Sequence, residues 1–229
     1  MERRARQPAK PVLVGIAGGS ASGKTTLVAA LSTLLRGRSV SLLHQDDYYL
    51  DCPDLRLEER ARLNFDHPSA LDNRLLARHL RALTRGEPVD SPRYCFRTHL
   101  RLPETRRVEP AEVVIVEGMH LLRSGALRSL LDVKVFVDPP ADLRLARRTL
   151  RDTGPERARS VESIVEQYLT HVRPMHERHV APSKRHAHIV VTDAADPVQV
   201  RRAAALIGRC LRRRGPTSSP TGSRCCTRR

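Results

Sequence analysis

The chain has 229 residues, 40% of them hydrophobic, and a formal net charge of +16. That length suits one α/β domain with a buried core; no apolar run approaches the roughly 18 residues of a membrane span, and no signal-type stretch follows the basic N-terminus, so a soluble cytoplasmic protein is expected. Five cysteines without a C-x-x-C pair set aside a disulfide framework and a zinc site. The positive charge is almost all arginine, and Arg212, Arg213, Arg214, Arg224, Arg228 and Arg229 lie near the end with no acid among them, so nucleic acid is not expected as the primary partner.

Residues 1–10 read as a flexible basic leader. Residues 12–17 (VLVGIA) form an apolar strand, 18–25 a Gly/Ser loop, and 25–35 a helix. A second strand covers 40–44 and ends at Gln45-Asp46-Asp47. A short helix over 55–63, with Asp54 as its cap, precedes His67-Pro68-Ser69 and a helix over 71–84 closed by Gly86. Residues 91–108 carry β-formers without helical period and read as a projecting β-hairpin. Strands follow at 113–116, ending at Glu117-Gly118, and at 133–137. An Arg-rich helix spans 142–151, a longer one spans 161–179 with a bend at Pro174, the last strand lies at 188–191, and the last helix at 197–213. From 214 the chain reads as a disordered basic tail. Short apolar strands alternating with helices predict a parallel sheet covered on both faces, whose ligands sit at the carboxyl ends of the strands. The domain then spans 11–213, with the hairpin at 91–108 and a lid at about 147–162.

Gly18-Gly19-Ser20-Ala21-Ser22-Gly23-Lys24-Thr25 matches G-x-x-x-x-G-K-[ST] in full, with Thr26 following. The glycines let successive N–H groups turn toward phosphate oxygens, and the helix that follows adds its positive end. Lys24 would reach the β- and γ-phosphates of ATP or GTP, and the Thr25 hydroxyl would meet Mg²⁺. A flexible linker would explain the composition but not the placement between an apolar strand and a helix. No N-K-x-D signature marks a GTPase. Glu117, a single carboxylate after four aliphatics, is the second candidate for Mg²⁺.

A kinase also needs a base beside its acceptor. Asp46 and Asp47 both follow the second strand, and spacing does not choose between them. There is no Trp, and five of the seven Phe and Tyr residues (Tyr48, Tyr49, Phe65, Tyr94 and Phe96) fall in polar segments. Aromatic faces in such surroundings suit a planar base, with Asp66, His67 and His99 beside them to set its orientation. Arg144, Arg148 and Arg151 share one helical face, and Arg157 and Arg159 follow, as a lid over transferring phosphate requires.

With those residues in view, the chain resembles the uridine kinase (uridine–cytidine kinase) family from about residue 12 to 191. The segments GIAGGSASGKTT (15–26), QDDYY (45–49), NFDHPSALD (64–72), VVIVEG (113–118), FVDPPADLRLARRTLRD (136–152) and QYLTHVRPMHERHVAPSK (167–184) carry it. NFDHPSALD is the most specific of these, since a bare phosphate loop gives no reason for it. The resemblance implies a P-loop kinase fold, with Asp46 as the catalytic aspartate and Lys24 and Arg151 acting on the phosphates. It places Tyr49, Asp66, Tyr94, Phe96 and His99 around the nucleoside, with Gln167 contacting it and Arg148, Arg151, Arg157 and Arg159 as lid arginines; Phe65, from the aromatic cluster, and Arg148, Arg157 and Arg159 complete the substrate-binding candidates. It also implies ATP or GTP as donor, Mg²⁺, uridine or cytidine as acceptor, UMP or CMP as product, and a homotetramer. Kinases of phosphoribulose or pantothenate, and a nucleotide-dependent RNA-binding protein, are the alternatives. The chain departs from the family pattern in a lid one residue longer with Ala158 in place of glycine, in Thr192-Asp193-Ala194 after the last strand, and in Cys95.

Overall fold

The computed structural model describes residues 10–155 and 157–214; the leader before Lys10 and the tail after Arg214 lie outside the described residues. Five strands, β1 (Val12–Gly18), β2 (Val40–His44), β7 (Val113–Glu117), β8 (Val133–Val137) and β9 (Ile189–Val191), form one sheet in the order β2-β7-β1-β8-β9. Every pairing in it is parallel. Strands β1 and β7 are buried along their whole length, as expected for the centre of a sheet covered on both sides.

Alternation of side chains splits the core into two layers. Val12, Val14 and Ile16 face α1 (Lys24–Leu34) and α8 (Pro197–Arg213), packing with Leu27, Leu31, Val200, Ala203 and Ile207. Leu13 and Ala17 face the other way, toward Leu76, Leu80 and Leu83 of α3 (Asn73–Thr84) and toward Phe136. Helix α3 starts two residues later than its apolar pattern suggests because Asp72 caps it, accepting from the Leu75 amide at 2.9 Å.

Short elements complete the frame. Helix α2 (Leu57–Ala61) is shorter than expected, and its cap is Arg56 rather than Asp54: the Arg56 amide donates to Glu59 Oε2 at 2.8 Å. Residues 91–108 do form a β-hairpin, broken into two ladders: β3 (Val89–Ser91) pairs with β6 (Arg106–Val108), and β4 (Tyr94–Cys95) with β5 (Leu100–Arg101). Helix α4 (Gly125–Arg128) has too few residues to show a period.

Helix α5 (Ala141–Asp152) carries the lid arginines, and α6 (Val161–Gln167) returns from them. The expected bend at Pro174 takes a different form. The helix continues through α7 (Arg173–Met175), and its turns widen to π-helix over Tyr168–Val172 and His176–Val180. Proline has no N–H and crowds the carbonyl four residues back, and wider turns accommodate that without breaking the rod. Arg214, read from sequence as the first residue of the tail, closes α8 and pairs with Asp132 at 2.6 Å. Among the described residues, no helix is long and apolar enough to cross a membrane.

Candidate active site

The phosphate loop runs from the end of β1 into α1. Gly18 lies against the neighbouring strand, where a Cβ would stand 2.5 Å from the Val137 carbonyl oxygen. Gly23 starts α1 at φ 96°, a left-handed conformation that glycine adopts without strain. Gly19 is wedged between two side chains that the motif does not contain: a Cβ there would lie 2.7 Å from Arg144 Nη1 and 2.8 Å from His176 Nδ1. Ala21 holds φ 57°, Ser22 is buried, and Thr26 is exposed in the first turn of α1.

Lys24 Nζ donates to the Gly18 and Gly19 carbonyls at 3.1 and 3.0 Å. Burial lowers its pKa, with Glu117 and Asp46 opposing that shift. Thr25 Oγ1 donates to Glu117 Oε1 at 3.2 Å, and His44 Nδ1 lies 2.8 Å from the same oxygen. Burial alone would raise the Glu117 carboxyl, but the His44 hydrogen bond and the Lys24 charge outweigh it and hold the group below its ordinary value.

Across the cleft, a cavity of about 450 Å³ is lined by residues from Ser20 to Gln167, a size typical of small-molecule sites. Asp46 lines it, while Asp47 turns away toward Arg106, 3.9 Å from its carboxylate. Burial raises the Asp46 pKa, and Lys24 opposes the shift.

One wall is aromatic. Tyr49 meets Phe65 edge-on with ring centres 5.4 Å apart and Tyr94 at 5.1 Å; Phe96 lies 5.4 Å from Tyr94. His99 stacks on Phe65 at 4.8 Å and 12°. Its φ of 54° marks the tight turn that carries it there. Tyr48 is elsewhere: it is fully buried beneath the sheet with its hydroxyl on His79, a core residue and not part of this wall.

Asp66 is buried at the cavity edge, and burial raises its pKa. Its backbone is anchored from below. His120 Nε2 donates to the Asp66 carbonyl at 3.0 Å, the His120 amide donates to Gln45 Oε1 at 2.9 Å, and Gln45 Nε2 donates to Asn73 Oδ1 at 2.9 Å. This chain ties the Asp46 turn, the Asp66 loop and the end of β7 together. His120 is held neutral, its pKa lowered to about 4 by burial. His67, also expected beside the base, is not among the residues lining the cavity; its ring bonds Ser69 and meets His179 edge-on.

The other wall is the lid. Arg148 donates to Ser20 Oγ at 2.9 Å and to Gln167 Oε1 at 2.6 Å; Arg159 donates to the same Gln167 oxygen at 2.5 Å. Arg151, Arg157 and Arg159 also line the cavity, and the Arg157 guanidinium sits 4.6 Å above the Phe96 ring. The turn between α5 and α6 places Ala158 at φ 47°, the left-handed region that glycine occupies more comfortably.

Thus Asp46, Tyr49, Phe65, Asp66, Tyr94, Phe96, His99, Arg148, Arg151, Arg157, Arg159 and Gln167 share one cavity. Arg144, expected on the lid face with Arg148 and Arg151, packs against Gly19 instead and is not among the residues lining the cavity. Sequence reading missed His176 against Gly19, the Gln45–His120 anchor and the His44–Glu117 contact; none of these belongs to a recognisable spacing, and each is a contact between elements distant in sequence.

Comparison with known proteins adds independent findings. Residues 13–198 match the model of the phosphoribulokinase / uridine kinase family. A uridine kinase of Anoxybacillus flavithermus is 48% identical over 184 residues, covering 80% of this chain and 87% of that protein. One from Chloroflexus aggregans is 50% identical over 180 residues, covering 79% and 86%. Among solved structures, phosphoribulokinase from Rhodobacter spheroides superposes with a TM-score of 0.57 at 19% identity, covering 82% of this chain and 74% of that one. D-glycerate 3-kinase from Cryptococcus neoformans superposes at 0.59 with 17% identity, covering 80% and 83%. At such identities these superpositions speak for the shared kinase fold alone. A complete phosphate loop, a carboxylate facing it across a cavity, and a family match spanning most of the sequence converge on one conclusion: the chain belongs to the phosphoribulokinase / uridine kinase family.

Proposed function

We propose that this protein transfers the γ-phosphate of ATP or GTP to the 5′-hydroxyl of uridine or cytidine, giving UMP or CMP. The observation that carries this is the lining of the acceptor cavity: aromatic rings, a buried aspartate and the lid arginines, with Asp46 among them. A flat base stacks on aromatic faces, and a carboxylate pairs with ribose hydroxyls. The Tyr94 hydroxyl is buried without a partner among the described residues, so a polar group on the acceptor would satisfy it. The relatives named uridine kinase support the same choice.

In the proposed step, the 5′-oxygen attacks the γ-phosphorus, the bond to the β–γ bridging oxygen breaks, and the hydroxyl proton passes to Asp46. A carboxylate whose pKa is raised by burial is a better proton acceptor than a solvated one. Lys24 and the loop amides hold the β- and γ-phosphates, and Arg148, Arg151 and Arg157 face the charge that spreads onto the transferring group. Thr25 Oγ1 and Glu117 Oε1 form a pair of hard oxygen donors, which fits Mg²⁺ completed by phosphate oxygens and water. Bound there, Mg²⁺ would neutralise the phosphate oxygens. A cytoplasmic setting and a four-chain assembly are further proposals drawn from the family likeness; sedimentation of the purified protein tests the assembly.

The deciding experiment follows labelled γ-phosphate from ATP or GTP onto a panel of pyrimidine and purine nucleosides, phosphoribulose and pantothenate. UMP and CMP are expected, and Asp46→Asn should lower the rate by at least about 10²-fold. Triphosphate binding without transfer to any pyrimidine nucleoside would refute the assignment, and an unchanged Asp46→Asn rate would remove Asp46 from the mechanism.

A further inference from the structure

Asp152, the last residue of α5, is fully buried yet is not among the residues that line the cavity. Its Oδ1 accepts from Arg151 Nε at 2.7 Å and lies 3.4 Å from Arg157 Nη1; its Oδ2 lies 3.5 Å from Arg148 Nε. Its backbone carbonyl accepts from the Arg159 amide at 3.0 Å. The carboxylate therefore touches three lid arginines and the backbone carbonyl of the same residue holds the main chain of a fourth, and all four line the cavity beside Asp46.

Three guanidinium groups brought this close repel one another, and long side chains lose rotamer freedom when fixed. A buried opposite charge is what keeps such a group together. Burial alone would raise the Asp152 carboxyl, but Arg151, Arg157 and Arg148 outweigh it and hold the group below its ordinary value, so it stays ionised. Arg148 Nε and Asp152 Oδ2 are both buried without a hydrogen bond and face each other at 3.5 Å. A shift of roughly half an ångström would bring them to hydrogen-bond distance.

We infer that Asp152 is a positioning residue for phosphoryl transfer, holding Arg148, Arg151 and Arg157 aimed over the acceptor cavity from behind without touching substrate. This rests on the kinase assignment above. Because the arginines act on charge that develops during transfer, loosening them lowers kcat more than it raises the acceptor KM.

The test is steady-state transfer to uridine by wild type, Asp152→Asn, Arg151→Met and the double variant, with unfolding temperature and binding of a fluorescent ATP analogue as controls. Asp152→Asn is expected to lower kcat by about 10- to 100-fold with the uridine KM changed less than about threefold. In the Arg151→Met background the same change should cost at least about threefold less, because part of its effect has already been removed. Equal factors in both backgrounds, or a kcat unchanged by Asp152→Asn in an active enzyme, would overturn the inference. If wild type itself fails to phosphorylate uridine, the kinase assignment fails instead. If Asp152→Asn does not fold, the pair Asp152→Asn/Arg157→Gln restores the local charge balance. Its kcat is then compared with that of Arg157→Gln alone: a further loss supports the role and equality refutes it.

Discussion

The phosphate loop takes its groups from eight consecutive residues between one strand and one helix, whereas the acceptor cavity draws its wall from stretches scattered between Ser20 and Gln167. The first is set by local geometry: two glycines where a side chain would not fit, then a helix start. The second exists only once β2, the Asp66 loop, the hairpin and the lid are packed together. A local motif should therefore fail all at once, and the assembled cavity in separable pieces. Substitutions on the two sides can test that contrast.

The largest effect is expected on the local side. Lys24→Met should lower kcat by about 10³-fold, the scale for removing a preorganised charge from a transferring group. Uridine affinity, read by calorimetry, should be unchanged, because Lys24 does not line the acceptor cavity. A parallel loss of uridine binding would mean the two halves are not separable.

Asp66→Asn breaks the assembled side. It should raise the uridine KM by roughly 10- to 100-fold, the range for a hydrogen bond to a charged group, with binding of the ATP analogue unchanged. Burial holds the folded-state pKa of Asp66 above its unfolded value. Its contribution to stability is therefore full below the unfolded pKa and lost as pH rises through the folded one. At neutral pH the ionised group costs stability, so the Asn variant should melt a few degrees higher while working less well.

The same reasoning gives a pH profile. Asp46 must be ionised to accept a proton, and burial raises its pKa. The acid limb of kcat/KM should fall above the ordinary aspartate value of 3.8, with activity lost as pH drops through it. The limb should vanish from the residual activity of Asp46→Asn.

Smaller effects sharpen the picture. Phe65→Ala removes the ring stacked on His99 and should raise the uridine KM by roughly 3- to 10-fold. Ala158 holds a left-handed φ of 47°, which costs a non-glycine residue about 1 kcal/mol. Ala158→Gly should therefore relieve the lid turn, slowing proteolysis there and leaving the phosphate loop untouched.

Asp152 shows where sequence reading stops. It is four residues after Arg148 and next to Arg151, a spacing that places an acid on the face of an Arg-rich helix, yet spacing says nothing about burial. Gln45 and His120 are 75 residues apart, and no local pattern pairs them. Tyr48 carries the opposite lesson. Its neighbours suggested a place in the aromatic wall, but successive side chains leave a tight turn in different directions, and Tyr48 enters the core while Tyr49 faces the cavity.

By itself the sequence determined the strand–loop–helix cradle, the order of short apolar strands and helices, and the residue types available to each side of the cleft. Those features arise from contacts among neighbours in the chain, where side-chain size, periodicity and backbone freedom decide the outcome. The choice of Asp46 over Asp47 came from the family resemblance, which its place in the cavity agrees with; only the tertiary structure decided which tyrosine is core and which buried carboxylate gathers the lid arginines. Burial and charge pairing depend on what lies across space, and residues far apart in sequence supply it.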